Sequence, residues 1–403
     1  MLLRELEFIP ILLGNDINSY SMARAFHEEY SVRSIVIGKF RSGPNNNSKI
    51  SGLIVVPDIE NPEVFLKTLD EISKKYTGKK LILLGCGDTY VHLIITHKEI
   101  LSKSFIVPYI HDELMLDLIH KEKFYAICKK HALDYPKTFI LTKNMGVDYH
   151  LDFPFPVILK PANGILYWKH PFAGNDKVFK VKSKEELNLI AKKIFDSGYD
   201  DSLIIQDFIP GDDSMMRVLT CYSDKNATVK LMSLGHVLLE EHTPHGLGNH
   251  AVILNTYDKP LSDKIRSFLE EIKYVGLSNF DIKYDTRDQK YKLLEINLRQ
   301  GRSNFYVTGS GDNIAHYLVD DHIKNLPLEL RVANTEHLWL VVPKSIALKY
   351  TKSKELREKI QHLSRSGLSV NPLFYRGDYH IKRLLFLIKS HLSHHRKYKK
   401  YYS

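Results

Sequence analysis

This 403-residue chain reads as an α/β and α+β protein, with a Rossmann-like N-terminal domain followed by a two-part domain of antiparallel sheets. Three observations predict it. In the first 112 residues, short apolar runs alternate with segments of helical spacing, the signature of a parallel sheet. From about residue 137 the runs come instead as neighbouring strands joined by polar turns, the antiparallel habit. The stretch 279–302, NFDIKYDTRDQKYKLLEINLRQGR, then sets charged residues into a strand pair that is otherwise apolar.

In chain order, residues 8–13 (FIPILL) form the first strand and end in Gly14-Asn15-Asp16. Residues 17–30 show helical spacing, and strands follow at 32–37, 53–56 and 81–84. The last of these runs into Gly85-Cys86-Gly87-Asp88. Ligands gather where strands of a parallel sheet end in such turns, and neither turn is a full dinucleotide fingerprint. A substrate edge is therefore expected here.

A helix is expected at 121–131 and strands at 137–141 and 153–161, the second delivering Lys160 at its end. Residues 163–176 carry little apolar pattern and read as a mobile hairpin loop. Ser183 with Glu186 three residues on predicts a capped helix over 184–195. Strands are expected at 203–210, 214–223, 228–234 and 251–254, with a His- and Gly-rich polar loop at 240–249 and a helix at 264–274. Domain boundaries are placed at 112 and 335. The middle domain divides into parts of about 137–210 and 211–335, and residues 336–403 form a strand and a basic, partly helical tail.

Composition narrows the classes. The chain is 43% hydrophobic with a net charge of +10, so it is globular and suited to anionic partners. Its apolar runs are too short to span a bilayer, and the N-terminus has no signal-peptide pattern, so a cytoplasmic protein is expected. Three cysteines without close spacing give neither a disulfide framework nor a zinc motif. No aromatic-interleaved basic motif, helix-turn-helix or zinc module is present, so nucleic acid is not the expected partner.

The chemistry centres on 279–302. Residues 281–284 and 292–297 alternate as strands around the polar connection 285–290, so a hairpin would bring Asp281 near Glu295 and Asn297. Two carboxylates and an amide oxygen make a hard oxygen site of the kind Mg2+ takes when it also holds phosphate. Arg299 and Arg302 follow at once, with forked donors for phosphate or carboxylate.

Taken with Lys121, Lys160, Gln206 to Gly211 and Asp213, this hairpin resembles the ATP-grasp ligases over roughly residues 112–310. The resemblance implies a two-part ATP-grasp fold that binds ATP and Mg2+. In it Gln206, Asp207, Phe208 and Ile209 would line the adenine slot, and Asp213 would accept from the ribose hydroxyls. Lys160 and Lys121 would reach the phosphates, with Lys123 close enough to stand in for Lys121. Asp281, Glu295 and Asn297 would hold Mg2+, while Arg299, Arg302 and Arg217 would grip the transferring phosphoryl group or a substrate carboxylate. The loop at 163–176 departs from the family habit by being poor in glycine and carrying Tyr167, Trp168 and Pro171.

Across nearly the whole chain, the segments FIPILLGNDIN, LLGCGDTY, FYAICKKHALDYPKT, FPVILKPAN, IIQDFIPGDDSMMRVL, SNFDIKYD and LLEINLRQGRS are similar to the D-aspartate ligases of Gram-positive bacteria. That likeness implies D-aspartate and a UDP-linked muramyl pentapeptide as substrates, in peptidoglycan synthesis. The residues themselves do not read out D over L, or aspartate over glutamate. From 376 to 403 there are eight Lys or Arg against one acid, interleaved with Leu384 to Ile388. A basic amphipathic helix that touches anionic membrane is one expectation for this tail, and a solvated helix packed on the body is the other.

Overall fold

The computed structural model describes residues 7–41, 43–176, 178–244 and 246–402. Residues 1–6, where no signal-peptide pattern was read, lie outside the described residues, and the expected first strand at 8–13 lies within them. The chain separates into two compact units: Met1–Asp112, Asp213–Phe280 and Asn297–Ser403 form one, Glu113–Asp212 and Asp281–Ile296 the other.

The first unit opens with β1 (Phe8–Leu13), β2 (Ser34–Gly38), β3 (Ser51–Val55) and β4 (Lys80–Gly85), in the order β3-β2-β1-β4. Every pairing is parallel, with Leu12 opposite both Val36 and Leu84. Helices cover parallel sheets on both faces, so their strands read as unbroken apolar runs. Ile11, Leu12, Val36, Ile82 and Leu83 are accordingly fully buried. Asp16 caps the helix Ile17–Tyr30 by accepting from the N–H groups of Asn18 and Ser19. The two glycine turns end adjacent strands, since Gly14 N donates to Ile37 O and Cys86 N to Leu13 O, both at 2.8 Å.

The second unit is built on β5 (Thr138–Leu141), β6 (Val157–Pro161), β7 (Phe179–Val181) and β8 (Leu203–Asp207), in the antiparallel order β5-β8-β6-β7. The helix Lys184–Asp196 packs its Leu187, Ala191 and Ile194 into this sheet's core with Val157, Leu159 and Ile205. Its Ser183 cap accepts from Glu186 N, while the Glu186 carboxylate takes Lys182 N at 2.7 Å, one residue before the cap. Where a mobile hairpin loop was expected at 163–176, a helical turn Gly164–Tyr167 forms. Asn163 caps that turn, and the buried Tyr167 ring closes it by donating to Asp176 O at 2.9 Å.

Strands β9 (Met216–Ser223), β10 (Val229–Glu240), β11 (His250–Thr256), β12 (Gly276–Asp285) and β13 (Lys290–Asn297) complete the main pattern. Three short strands follow: β14 (Arg331–Val332), β15 (Leu338–Leu340) and β16 (Ser369–Val370). Their order is β13-β12-β9-β10-β11-β15-β16, with β14 beside β10. The division between units falls inside β12 and β13. Hydrogen-bonded neighbours joined by a four-residue turn at 286–289, those two strands make the expected hairpin.

Gly276 starts β12 at φ +90, and a Cβ there would lie 2.1 Å from Pro108 O. Neither side of that contact is a flexible side chain. Gly276→Ala is expected to destabilise the protein by about 2–4 kcal/mol, read as a lowered melting temperature in calorimetry. An unchanged melt would mean that this close approach contributes nothing.

Candidate active site

In the second unit one phenol gathers the candidate residues. Tyr125, on the helix Lys121–Lys130, donates to Leu294 O at 2.7 Å and accepts from Lys160 Nζ at 3.2 Å. That helix also carries Lys121, β6 carries Lys160, and β13 carries Glu295 beside Leu294. Burial pushes the Tyr125 phenol far above its ordinary range, outweighing a hydrogen bond from Gln206, so it stays neutral. Lys160 is only 9% exposed, an ammonium held largely out of water. Such a group gains most from an anion that enters the site.

Lys121 Nζ lies 3.5 Å from Glu295 Oε2, whereas Lys123 turns to Asp117 at 2.9 Å. Gln206 is buried on β8 with its Nε2 donating to Thr138 Oγ1 at 2.9 Å. Asp207 gives its carboxylate to the Arg287 fork at 3.1 and 2.6 Å, and its N–H to Lys137 O. Phe208 is half-buried, with Lys180 Nζ 3.8 Å and Lys283 Nζ 5.4 Å from its ring centroid. Ile209 beside it is buried. Asp281, on β12, belongs to this unit with Glu295.

The first unit holds the remaining candidates. Asn297 stands two residues from Glu295 on β13, so the two share a strand face, half-buried between Leu293, Ile296 and Leu298. Its Nδ2 donates to Asn279 O at 3.4 Å, and its Oδ1 accepts from Arg299 Nη2 at 3.5 Å. Arg299 forks onto Asp88 at 2.7 and 3.1 Å, so the second glycine turn meets the residues that follow β13. Arg302 Nη2 is 3.5 Å from Glu241 Oε1, and Arg217 Nη1 donates to Ser214 O and Met216 O at 2.8 Å. Among the described residues, no three or more His, Cys, Asp or Glu gather as a metal cluster. The expected Mg2+ set has only two carboxylates, its third donor being an amide. Hard oxygen donors at alternate strand positions fit that cation.

Asp213 accepts from Glu240 N at 2.9 Å and meets His242 Nε2 at 3.0 Å. Burial alone would raise its carboxyl, but these two hydrogen bonds prevail and hold it below its ordinary value. The Asp213 hydrogen bond in turn raises His242. His250 is buried, which with the nearby Arg302 pushes it down to about 4 and leaves it neutral. Sequence reasoning passed over Tyr125, Arg287, Glu241 and His242. The only signal for the last two was the polar loop at 240–249.

No protein-family model matches the chain. The D-aspartate ligase of Enterococcus faecium (strain Aus0004) is 42% identical over 408 residues, which cover 98% of this chain and 97% of that protein. The chain belongs to the D-aspartate ligase family. Among solved structures, the N5-carboxyaminoimidazole synthetase of Staphylococcus aureus complexed with ADP matches with TM-score 0.60 at 12% identity, covering 87% of each chain. An L-amino acid ligase from Bacillus licheniformis matches with TM-score 0.54 at 14% identity, over 80% of this chain and 75% of that one. These likenesses give the ATP-grasp fold. This family member is thus an ATP-dependent carboxylate–amine ligase.

The Asp213–His242 pair has a signed pH dependence. Because His242 is raised above 6.5, its contribution to stability is complete below that pH and fades as pH rises through the folded value. Because Asp213 is lowered from 3.8, its contribution is present above that pH and is lost as pH falls through the folded value. An NMR titration should place His242 above 6.5 in the native protein and return it to its ordinary value in Asp213→Asn. Identical titrations in the two proteins would show that the pair is not formed.

Proposed function

We propose that this ligase activates the β-carboxylate of D-aspartate with ATP and joins it to the ε-amine of lysine in a UDP-linked muramyl pentapeptide, in the cytoplasm. The observation that carries this reading is the end-to-end likeness to a D-aspartate ligase, 42% identical over 98% of the chain.

The substrate carboxylate attacks the γ-phosphorus, the β–γ bridging bond breaks, and ADP leaves. The amine nitrogen then attacks the acyl carbon of the acyl phosphate, phosphate leaves with the bonding pair, and the amine gives up a proton. Such steps ask for placement and charge neutralisation more than for covalent help from the protein. Asp281, Glu295 and Asn297 would hold Mg2+, which when bound neutralises phosphate charge.

The other roles fall to side chains and backbone of this chain. Lys160 and Lys121 would hold the phosphates. The Asp207 carboxylate is committed to Arg287, so the adenine edge would be met by main chain of Gln206, Asp207, Phe208 and Ile209. Asp213 keeps lone-pair positions beyond those used by Glu240 N and His242, which leaves capacity for ribose hydroxyls. Arg217, Arg299 and Arg302 would hold the substrate carboxylates, with Asp88 and Glu241 fixing two of them in advance.

Purified protein given ATP, D-aspartate and the UDP-linked precursor should release ADP and yield the precursor plus aspartate minus water by mass. L-aspartate and D-glutamate should not substitute. Glu295→Gln should lower kcat about 100- to 1,000-fold with an unchanged melting temperature. Equal product formation from another amino acid would displace the D-aspartate reading, and full activity of Glu295→Gln would displace the assigned metal site.

A further inference from the structure

The C-terminal helix Ile381–Tyr401 has two distinct faces, and among the described residues one is packed on the protein while the other is exposed. On the inner face Arg383, Leu387, His394 and Tyr398 are buried. Arg383 donates to Pro44 O at 2.9 Å and Leu373 O at 3.0 Å, and Tyr398 to Glu240 O at 2.6 Å. These contacts fix the helix at both ends, so its other face has a set direction.

That other face is apolar along its centre. Ile381, Leu385, Ile388 and Leu392 are 67%, 62%, 42% and 58% exposed and follow the spacing i, i+4, i+7, i+11. Single exposed leucines are ordinary, but four in line along three turns make a stripe. Lys382, Lys389 and Arg396, all exposed, recur every seven residues and so form a row along one edge of the stripe. Lys399 and Lys400 extend the positive charge to the end of the helix. The helix contains seven Lys or Arg and no Asp or Glu.

We propose that this face docks on an anionic phospholipid bilayer, with the helix lying in the plane of the interface. The apolar stripe would enter the headgroup–acyl boundary while the flanking lysines reach up to lipid phosphates. Charge complementarity selects this occupant. A second copy of the chain would set two cationic rows against each other with no acid in either helix to neutralise them. No helix among the described residues is long and apolar enough to cross a membrane, so this is attachment to a surface. The proposal does not rest on which amino acid the enzyme joins.

Co-sedimentation of the full chain with vesicles provides the test, comparing pure phosphatidylcholine with vesicles that are roughly one-third phosphatidylglycerol. The protein should partition onto the anionic vesicles and not the neutral ones, and salt should release it. The triple variant Lys382→Glu, Lys389→Glu, Arg396→Glu should lose partitioning about 100-fold or more. The double variant Leu385→Gln, Leu392→Gln should lose it about tenfold. All these side chains are exposed, so both variants should keep the native melting temperature and ligase turnover. Variants that sediment as the native protein does would overturn the proposal. So would a dimer in sedimentation velocity that Leu385→Gln, Leu392→Gln dissolves, since the stripe would then belong to a second copy.

Discussion

One hydrogen-bonded phenol sets the form of the second unit. Tyr125 is the point where the helix bearing Lys121, the strand bearing Lys160 and the strand bearing Glu295 are tied together. An ammonium as buried as Lys160 needs a polar neighbour that will not itself compete for an anion, and a neutral phenol meets that need. Because Tyr125 also donates to the backbone of Leu294, its position fixes β13 just before Glu295. The carboxylate and the two lysines are thus placed before any nucleotide arrives, which is the condition under which electrostatic stabilisation costs least in reorganisation.

The first unit follows a related logic with the signs reversed. Its arginines are held by acids of the same unit, Arg299 by Asp88 and Arg302 by Glu241. A dicarboxylate substrate would meet guanidinium groups already oriented. Asp88 of the second glycine turn holds Arg299, two residues beyond β13, so the parallel sheet's edge orients a guanidinium as well as packing the core. His250 stays neutral among these charges and adds no competing cation at neutral pH.

Much of this was written in the sequence in forms that local rules can read. The parallel strands show as unbroken apolar runs, the Ser183 cap shows as a spacing, and the helix 17–30 shows as a period. The hairpin of β12 and β13 was legible because a polar turn separates two strand-patterned runs. What stayed hidden depends on contacts distant in the chain. Tyr125 looks like any helix residue until Leu294, 169 positions on, receives its hydrogen. The Arg287 fork reaches back 80 residues to Asp207, and no local pattern marks either partner. The departure of residues 281–296 into the second unit is likewise invisible to periodicity, which sees two ordinary strands. The two faces of the C-terminal helix lie between these cases. Its charge was plain, but which apolar residues face outward required knowing which ones pack inward.

Under the proposed function, Tyr125 and Lys160 act as one unit in holding nucleotide phosphates. A double-mutant cycle of Tyr125→Phe and Lys160→Met, read by calorimetric binding of ADP with Mg2+, measures it directly. The expected coupling energy is about 1–2 kcal/mol, the second substitution costing much less once the first is made. Additivity within about 0.3 kcal/mol would contradict it and leave the phenol a neighbour of the site instead of its keystone.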